Sequence, residues 1–166
     1  FGGMSTWGNN YKEVNAWYCT HLWDHYRFTR DEAFLRKAFP AIWQSAQFWM
    51  ERMIQDKVKK DGTFVAPNEY SPEQNDHARE DGTAHAQQLI TANLQIALEA
   101  INIVGAESLG LSAADVAQLK NYVEKTDKGL HIEEYKGDWG DWAKNLGINK
   151  GTKLLKEWKY ASYSVS

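Results

Sequence analysis

The chain has 166 residues, with 19 Lys plus Arg against 22 Asp plus Glu and a formal net charge of -3, which suits one ordinary domain. That balance, with no clustered basic face, argues against nucleic acid, whose phosphates demand a surplus of grouped Lys and Arg. No run of about eighteen apolar residues is present to cross a membrane, and the N-terminus lacks the charged, apolar and small-residue regions of a leader peptide.

In chain order, Phe1 to Asn10 carries three glycines and two asparagines and reads as a loop. From Glu13 to Phe28 apolar and aromatic residues return at helical spacing, through Ala16, Trp17, Cys19, Leu22, Trp23 and Tyr26. Trp17 and Trp23 are six residues apart and so cannot share one narrow face; one is expected between helices and the other at a cleft. The single cysteine, Cys19, cannot form an intrachain disulfide and reads as a small buried apolar residue.

Asp31 is a good N-cap for a second helical segment through Phe34, Leu35 and Ala38. Pro40 is expected to divide it from a third, Ala41 to Ile54, with Ile42, Ala46, Trp49 and Met53 as its buried stripe. The cluster Lys57, Lys59 and Lys60, interrupted by Val58, reads as a solvated helix end.

Between Lys57 and Thr83 the periodicity vanishes, and prolines, asparagines and aspartates crowd one connection in which only Thr63 to Val65 suggests a strand. A connection of this length inside a domain tends to be functional. Helix returns from Ala84 to Val104, with Leu89, Ala92, Ile96, Ala100 and Ile103 on its expected buried face. Ser112 caps another helix to about Glu124, and beyond Gly129 the pattern is mixed. The fold class is therefore all-α, built of helical hairpins with long connections, and residues 1–166 are expected to be a piece of one larger domain.

Aromatic residues make up 13% of the chain, including eight Trp and eight Tyr. Sugar clefts are rich in such rings because the apolar face of a pyranose stacks on them, although most rings in any chain simply fill interfaces. The segment Pro67-Asn68-Glu69-Tyr70-Ser71-Pro72-Glu73-Gln74-Asn75 stands out within the long connection. Its two prolines restrict the backbone and can hold side chains in a cleft at low entropic cost. Glu69 and Glu73 are its carboxylates. A general acid must be protonated near neutral pH, which needs an apolar or anionic setting; Tyr70, Pro72 and Glu69 can provide one around Glu73. The bland alternative, a solvated loop carboxylate, is the commoner case.

On the first helix, His21 and His25 are spaced i, i+4 and share a face. The glutamate that follows the first histidine in zinc proteases is missing and no third ligand is evident, so no metal and no other cofactor is expected. Instead, one histidine is expected to bond a buried partner and the other to face solvent or a sugar.

The run from Asn15-Ala16-Trp17-Tyr18 through Leu22-Trp23-Asp24-His25 to Asp31-Glu32-Ala33-Phe34-Leu35, then Phe39-Pro40 and Ala46-Gln47-Phe48-Trp49, resembles the catalytic domain of glycoside hydrolase family 95. Ser71-Pro72-Glu73 matches the family's Ser-Pro-Glu loop, and Gly82-Thr83, Gln87-Gln88-Leu89-Ile90 and Leu155-Lys156-Glu157-Trp158 resemble its later landmarks in the same order. The resemblance implies an (α/α)6 barrel that hydrolyses terminal α-L-fucosyl, or in some members α-L-galactosyl, residues of glycans with inversion. It implies Glu73 as general acid and Trp7 in the sugar pocket; Trp17, His21 and Glu69 are the further candidates for substrate binding. The water-activating asparagine and aspartate of the family are expected in other segments of the same enzyme, before and after this chain. The resemblance also implies a secreted or periplasmic enzyme whose export signal is not in this chain.

Three positions depart from the family pattern. His85 stands near where an aspartate is frequent, Asn68-Glu69 where serine is commoner, and Gln74 where Asn or His is frequent; these bear on the sugar more than on the acid. Two other readings remain at this point, a noncatalytic helical carbohydrate-binding module and another (α/α)6 glycosidase or a phosphorylase. The latter needs a phosphate site, and no clear one is visible in the sequence.

Overall fold

A computed structural model describes residues 11–71, 79–137 and 140–160. The class is all-α: four long helices carry the core, and the strands are two or three residues long.

Helix α1 (Val14–Thr29) buries Ala16, Cys19, Trp23 and Tyr26, a 3-4-3 spacing that keeps one face inward. It stops where Arg30 turns left-handed at φ 56° and returns its N–H to the Tyr26 carbonyl at 2.7 Å. After a connection of only Arg30 and Asp31, helix α2 (Glu32–Arg52) begins with the Asp31 carboxylate accepting the Phe34 N–H at 3.0 Å.

The expected division at Pro40 does not occur, and α2 runs through it. A proline inside a helix removes one backbone bond and crowds the preceding turn, at a cost of about 3 kcal/mol. Leu35, Phe39, Ile42, Ala46 and Trp49 are all buried along the same helix, at about 1.5–3 kcal/mol for each large side chain removed from water. That burial on both sides of Pro40 outweighs the local cost. The helix also ends earlier than expected, at Arg52, because Ile54–Gln55 forms strand β1 and pairs antiparallel with β2 (Phe64–Val65).

Helix α3 (Ala84–Val104) is the centre of the packing and touches α1, α2 and α4 (Ala113–Lys125). Its buried surface is broader than the expected stripe and runs along Ala86, Ile90, Leu94, Ala97 and Ile101. Ile103, expected inside, is exposed, whereas Gln87 and Asn93 are buried. A helix enclosed by three others buries most of its circumference, which blurs the single-stripe pattern. Helix α4 starts with a reciprocal capping box between Ser112 and Asp115 and buries Leu119.

The long connection contains a second short pair, β3 (Glu69–Tyr70) with β4 (Arg79–Glu80). Near the C-terminal end β5 (Ile132–Glu134) pairs with β6 (Lys153–Leu155), with the short helix α5 (Gly140–Asn145) between them. Gly129 is required where it stands: at φ 68° a Cβ would lie 2.7 Å from the Ala84 carbonyl oxygen. The chain thereby passes close to the start of α3. Among the described residues, no helix is long and apolar enough to cross a membrane.

Candidate active site

The start of α1, the end of α2, the β3 strand and the start of α3 bring a polar cluster together. Arg52, the last residue of α2, donates from Nε at 3.1 Å and from Nη2 at 2.9 Å to Glu69 Oε1, and also reaches the Pro67 carbonyl at 3.2 Å. Lys12, just before α1, stands 3.5 Å from Glu69 Oε2. Glu69 is fully buried; that desolvation pushes its carboxyl pKa above the usual range, more than the Arg52 hydrogen bonds and the Lys12 charge bring it down.

Next to it, the fully buried Glu13 has its Oε1 3.0 Å from His85 Nδ1. The approach lies outside hydrogen-bond alignment, and among the described residues Glu13 Oε2 and Glu69 Oε2 accept no hydrogen bond.

The backbone entering this segment is also fixed. Asn68 adopts φ 53° and donates its N–H to Asp81 Oδ1 at 2.7 Å, while Gly82 donates to the Ala66 carbonyl at 2.8 Å. Tyr70 is buried with Tyr11 edge-on at 5.2 Å between centroids. Ser71, fully buried, donates its hydroxyl to Glu157 Oε1. The backbone carbonyl of the same Glu157 accepts the Ala84 N–H at 2.8 Å, at the first turn of α3.

Glu157 belongs to a strap, residues 156–160, whose anchor is a second buried ionic cluster. Lys159 Nζ lies 2.7 Å from Asp56 Oδ2 and 2.6 Å from Asp127 Oδ2. Asp56 Oδ1 accepts the N–H groups of Val58 and Lys59, and Tyr160 donates its hydroxyl to Asp56 Oδ2. Asp127 Oδ1 accepts the Gly129 N–H at 2.8 Å and meets His131 Nε2 at 2.9 Å. Burial alone would raise both aspartates, but these hydrogen bonds and the Lys159 charge outweigh it and hold both well below the usual carboxylate range. The same strap donates the Tyr160 N–H to Glu80 Oε1 at 2.6 Å, on strand β4.

Of the residues singled out from sequence, Glu73 and Trp7 lie outside the described residues. Glu69 sits in the cluster just described, its carboxylate turned into the protein. Trp17 and His21 stand on the exposed side of α1, their rings 6.4 Å apart, and Trp17 is 50% exposed. Trp23 is the packed member of the tryptophan pair, against Tyr26 at 5.3 Å.

The expectation that one of His21 and His25 bonds a buried partner is corrected: both are exposed, and His25 lies against the Phe34 ring at 3.9 Å. Hydrogen bonds there would require a polar partner, and the ring contacts of these histidines among the described residues are with Trp17, Tyr18 and Phe34. Among the described residues, the histidines that do meet buried carboxylates are His85 and His131. Sequence reasoning noticed His85 only as a departure, and it missed Glu13, Arg52 and the whole Asp56, Asp127 and Lys159 cluster. Glu13 carried one signal, a carboxylate at the edge of an apolar helical run; the partners of Lys159 are 103 positions away for Asp56 and carried none.

A family model for the Glycosyl hydrolase family 95 catalytic domain matches residues 2–150. The chain is similar to "Probable alpha-fucosidase A" of Aspergillus niger, at 28% identity over 173 residues, covering 98% of this chain and 21% of that protein. It is also similar to "Alpha-L-fucosidase 2" of Arabidopsis thaliana, at 37% identity over 59 residues, covering 35% of this chain and 7% of that protein. The chain thus spans about a fifth of the first relative's length. With the family model matching most of its residues, the chain belongs to the glycoside hydrolase family 95 catalytic domains.

Proposed function

We propose that the enzyme to which this chain contributes is a glycoside hydrolase that removes terminal α-L-fucosyl, or α-L-galactosyl, residues from glycans with inversion, and that Glu73 is its general acid. The observation that carries the reading is the family match across residues 2–150, a span that includes Ser71-Pro72-Glu73; the fucosidase names of both relatives support the sugar. In this mechanism Glu73 delivers a proton to the glycosidic oxygen as the bond to the anomeric carbon breaks. Water attacks from the opposite face, activated by an asparagine and an aspartate from other segments of the enzyme. An inverting site needs its acid and base roughly 6.5–9.5 Å apart to admit that water. Trp7, Trp17, His21 and Glu69 belong to the sugar-binding side of the proposal, Glu69 by shaping the pocket wall from within, since its carboxylate is buried. The substrate is a fucosylated oligosaccharide or glycan met outside the cytoplasm, in a secreted or periplasmic setting.

The test uses the full-length enzyme. Glu73→Gln keeps the size of the side chain but has no proton to give, so kcat/KM should fall by about 10²–10⁴-fold on fucosides with poor leaving groups. Aryl fucosides whose leaving groups need no proton should be largely spared, and NMR of the first product should show the β anomer. A similar loss on every substrate would make Glu73 a binding residue, and a first product of α configuration would remove inversion.

A further inference from the structure

Ser71 and Glu157 come from parts of the chain 86 positions apart, yet the Ser71 hydroxyl, fully buried, donates to the Glu157 carboxylate. A buried hydroxyl must find an acceptor, and a charged one makes the bond roughly twice as strong as a neutral one. We propose that Glu157 is a positioning residue for the acid loop, acting through the Ser71 hydroxyl to fix the chain where it enters Ser71-Pro72-Glu73. The proposal rests on the reading of Glu73 as general acid.

Three observations support it. The strap that carries Glu157 is already secured without that side chain: Lys159 bridges Asp56 and Asp127, Tyr160 donates to Glu80, and Ala84 donates to the Glu157 backbone carbonyl. To these the Glu157 carboxylate adds a tie between the strap and Ser71. On the other flank of Tyr70, Glu69 is gripped by Arg52, so the residues on both sides of Tyr70 are tied to the helical frame. A proline, the residue type whose ring fixes φ, follows Ser71 in the sequence. Glu73 is two positions further along the sequence.

The test compares Glu157→Ala, Glu157→Gln and Ser71→Ala in the full-length enzyme, with Glu73→Gln as reference, on a series of aryl and natural fucosides. A misplacement of about 1 Å at the reacting group costs on the order of 10²-fold. Glu157→Ala and Ser71→Ala should therefore each lower kcat on poor leaving groups by roughly 10–100-fold. KM should stay nearly constant, and the loss should be smaller on good leaving groups. The double variant should be no worse than either single one, because both remove the same bond. Glu157→Gln, whose amide oxygen still accepts from the Ser71 hydroxyl, should restore most of the activity.

A uniform loss across leaving groups, or additive losses in the double variant, overturns the proposal. So does Glu157→Gln behaving like Glu157→Ala, which would assign the role to the charge itself. Thermal midpoints separate misfolding from mispositioning, and Ser71→Ala, which deletes one oxygen, is the milder of the two probes. If Glu73→Gln shows no dependence on leaving group, the general-acid reading has failed and this proposal falls with it. If Glu73→Gln shows that dependence and Glu157→Ala does not, the positioning role alone is wrong.

Discussion

The two buried ionic clusters differ in how completely their charges are paired. Around Lys159, every carboxylate oxygen of Asp56 and Asp127 accepts at least one hydrogen bond or ion pair. Around Glu69, one oxygen takes both Arg52 contacts, while its second oxygen has the longer Lys12 ion pair at 3.5 Å but accepts no hydrogen bond, and neither does Glu13 Oε2, among the described residues. Pairing decides the sign: the hydrogen bonds pull Asp56 and Asp127 down against burial, whereas Glu69 stays raised. A fully satisfied buried network rigidifies what it joins, whereas an unpaired polar group in a buried one is costly. The first cluster is an anchor for the strap; the second lies beside the segment that leads in sequence to Ser71-Pro72-Glu73.

The hardest blow to that contrast is Lys159→Met in the full-length enzyme. It would leave two buried aspartates facing each other without their shared cation, and removing one partner of a buried ion pair costs about 3–5 kcal/mol. Chemical denaturation should show a loss of that size, along with weaker protection of amides in residues 156–160. A loss under about 1 kcal/mol would mean that the cluster is not the anchor.

Next in size is the opposite response of the two clusters to pH. Asp56 has a depressed folded-state pKa, so its contribution is fully present above the unfolded value of about 3.9 and fades as pH falls toward the folded one. Glu69 has a raised pKa, so its contribution is full below the unfolded value of about 4.3 and is lost as pH rises through the folded one. The stability gap between wild type and Asp56→Asn should therefore widen on going up from about pH 3 and then level off, while the gap for Glu69→Gln should narrow. Urea unfolding of the three proteins across about pH 3–7 measures both slopes, and parallel slopes would erase the distinction.

The helical frame was legible because burial leaves a periodic trace. Ala84 to Val104 was readable to the residue, and Ser112 announced α4 through its capping box. Pro40 misled because the local cost of a proline is visible in sequence and the compensating burial of Leu35, Phe39 and Ile42 on both sides is not. Leu155-Lys156-Glu157-Trp158 resembled a family landmark, but that Glu157 and Lys159 are held by Ser71 and Asp56, 86 and 103 positions earlier, leaves no trace in sequence. Ser71-Pro72-Glu73 was readable as a motif, but that Ser71 is buried on Glu157 is a fact of tertiary structure alone.

The smallest expected effect on the fold, and the sharpest test of where a sugar meets this chain, belongs to Trp17. Its ring is half exposed on α1 beside His21, whereas Trp23 is packed on Tyr26, so two tryptophans on one helix stand in different surroundings. A surface substitution away from caps and networks shifts stability by about 0.5 kcal/mol or less. Trp17→Ala should therefore leave the thermal midpoint of the full-length enzyme nearly unchanged. If the ring stacks on the substrate, KM should rise several-fold with kcat held, because a contact made equally in the ground and transition states changes binding alone. His21→Ala should show the same pattern more weakly, since its ring supports Trp17 at 6.4 Å. A midpoint lowered by several degrees with KM unchanged would reverse the assignment, showing that another segment of the enzyme packs over Trp17 and that this face of α1 serves assembly of the catalytic domain.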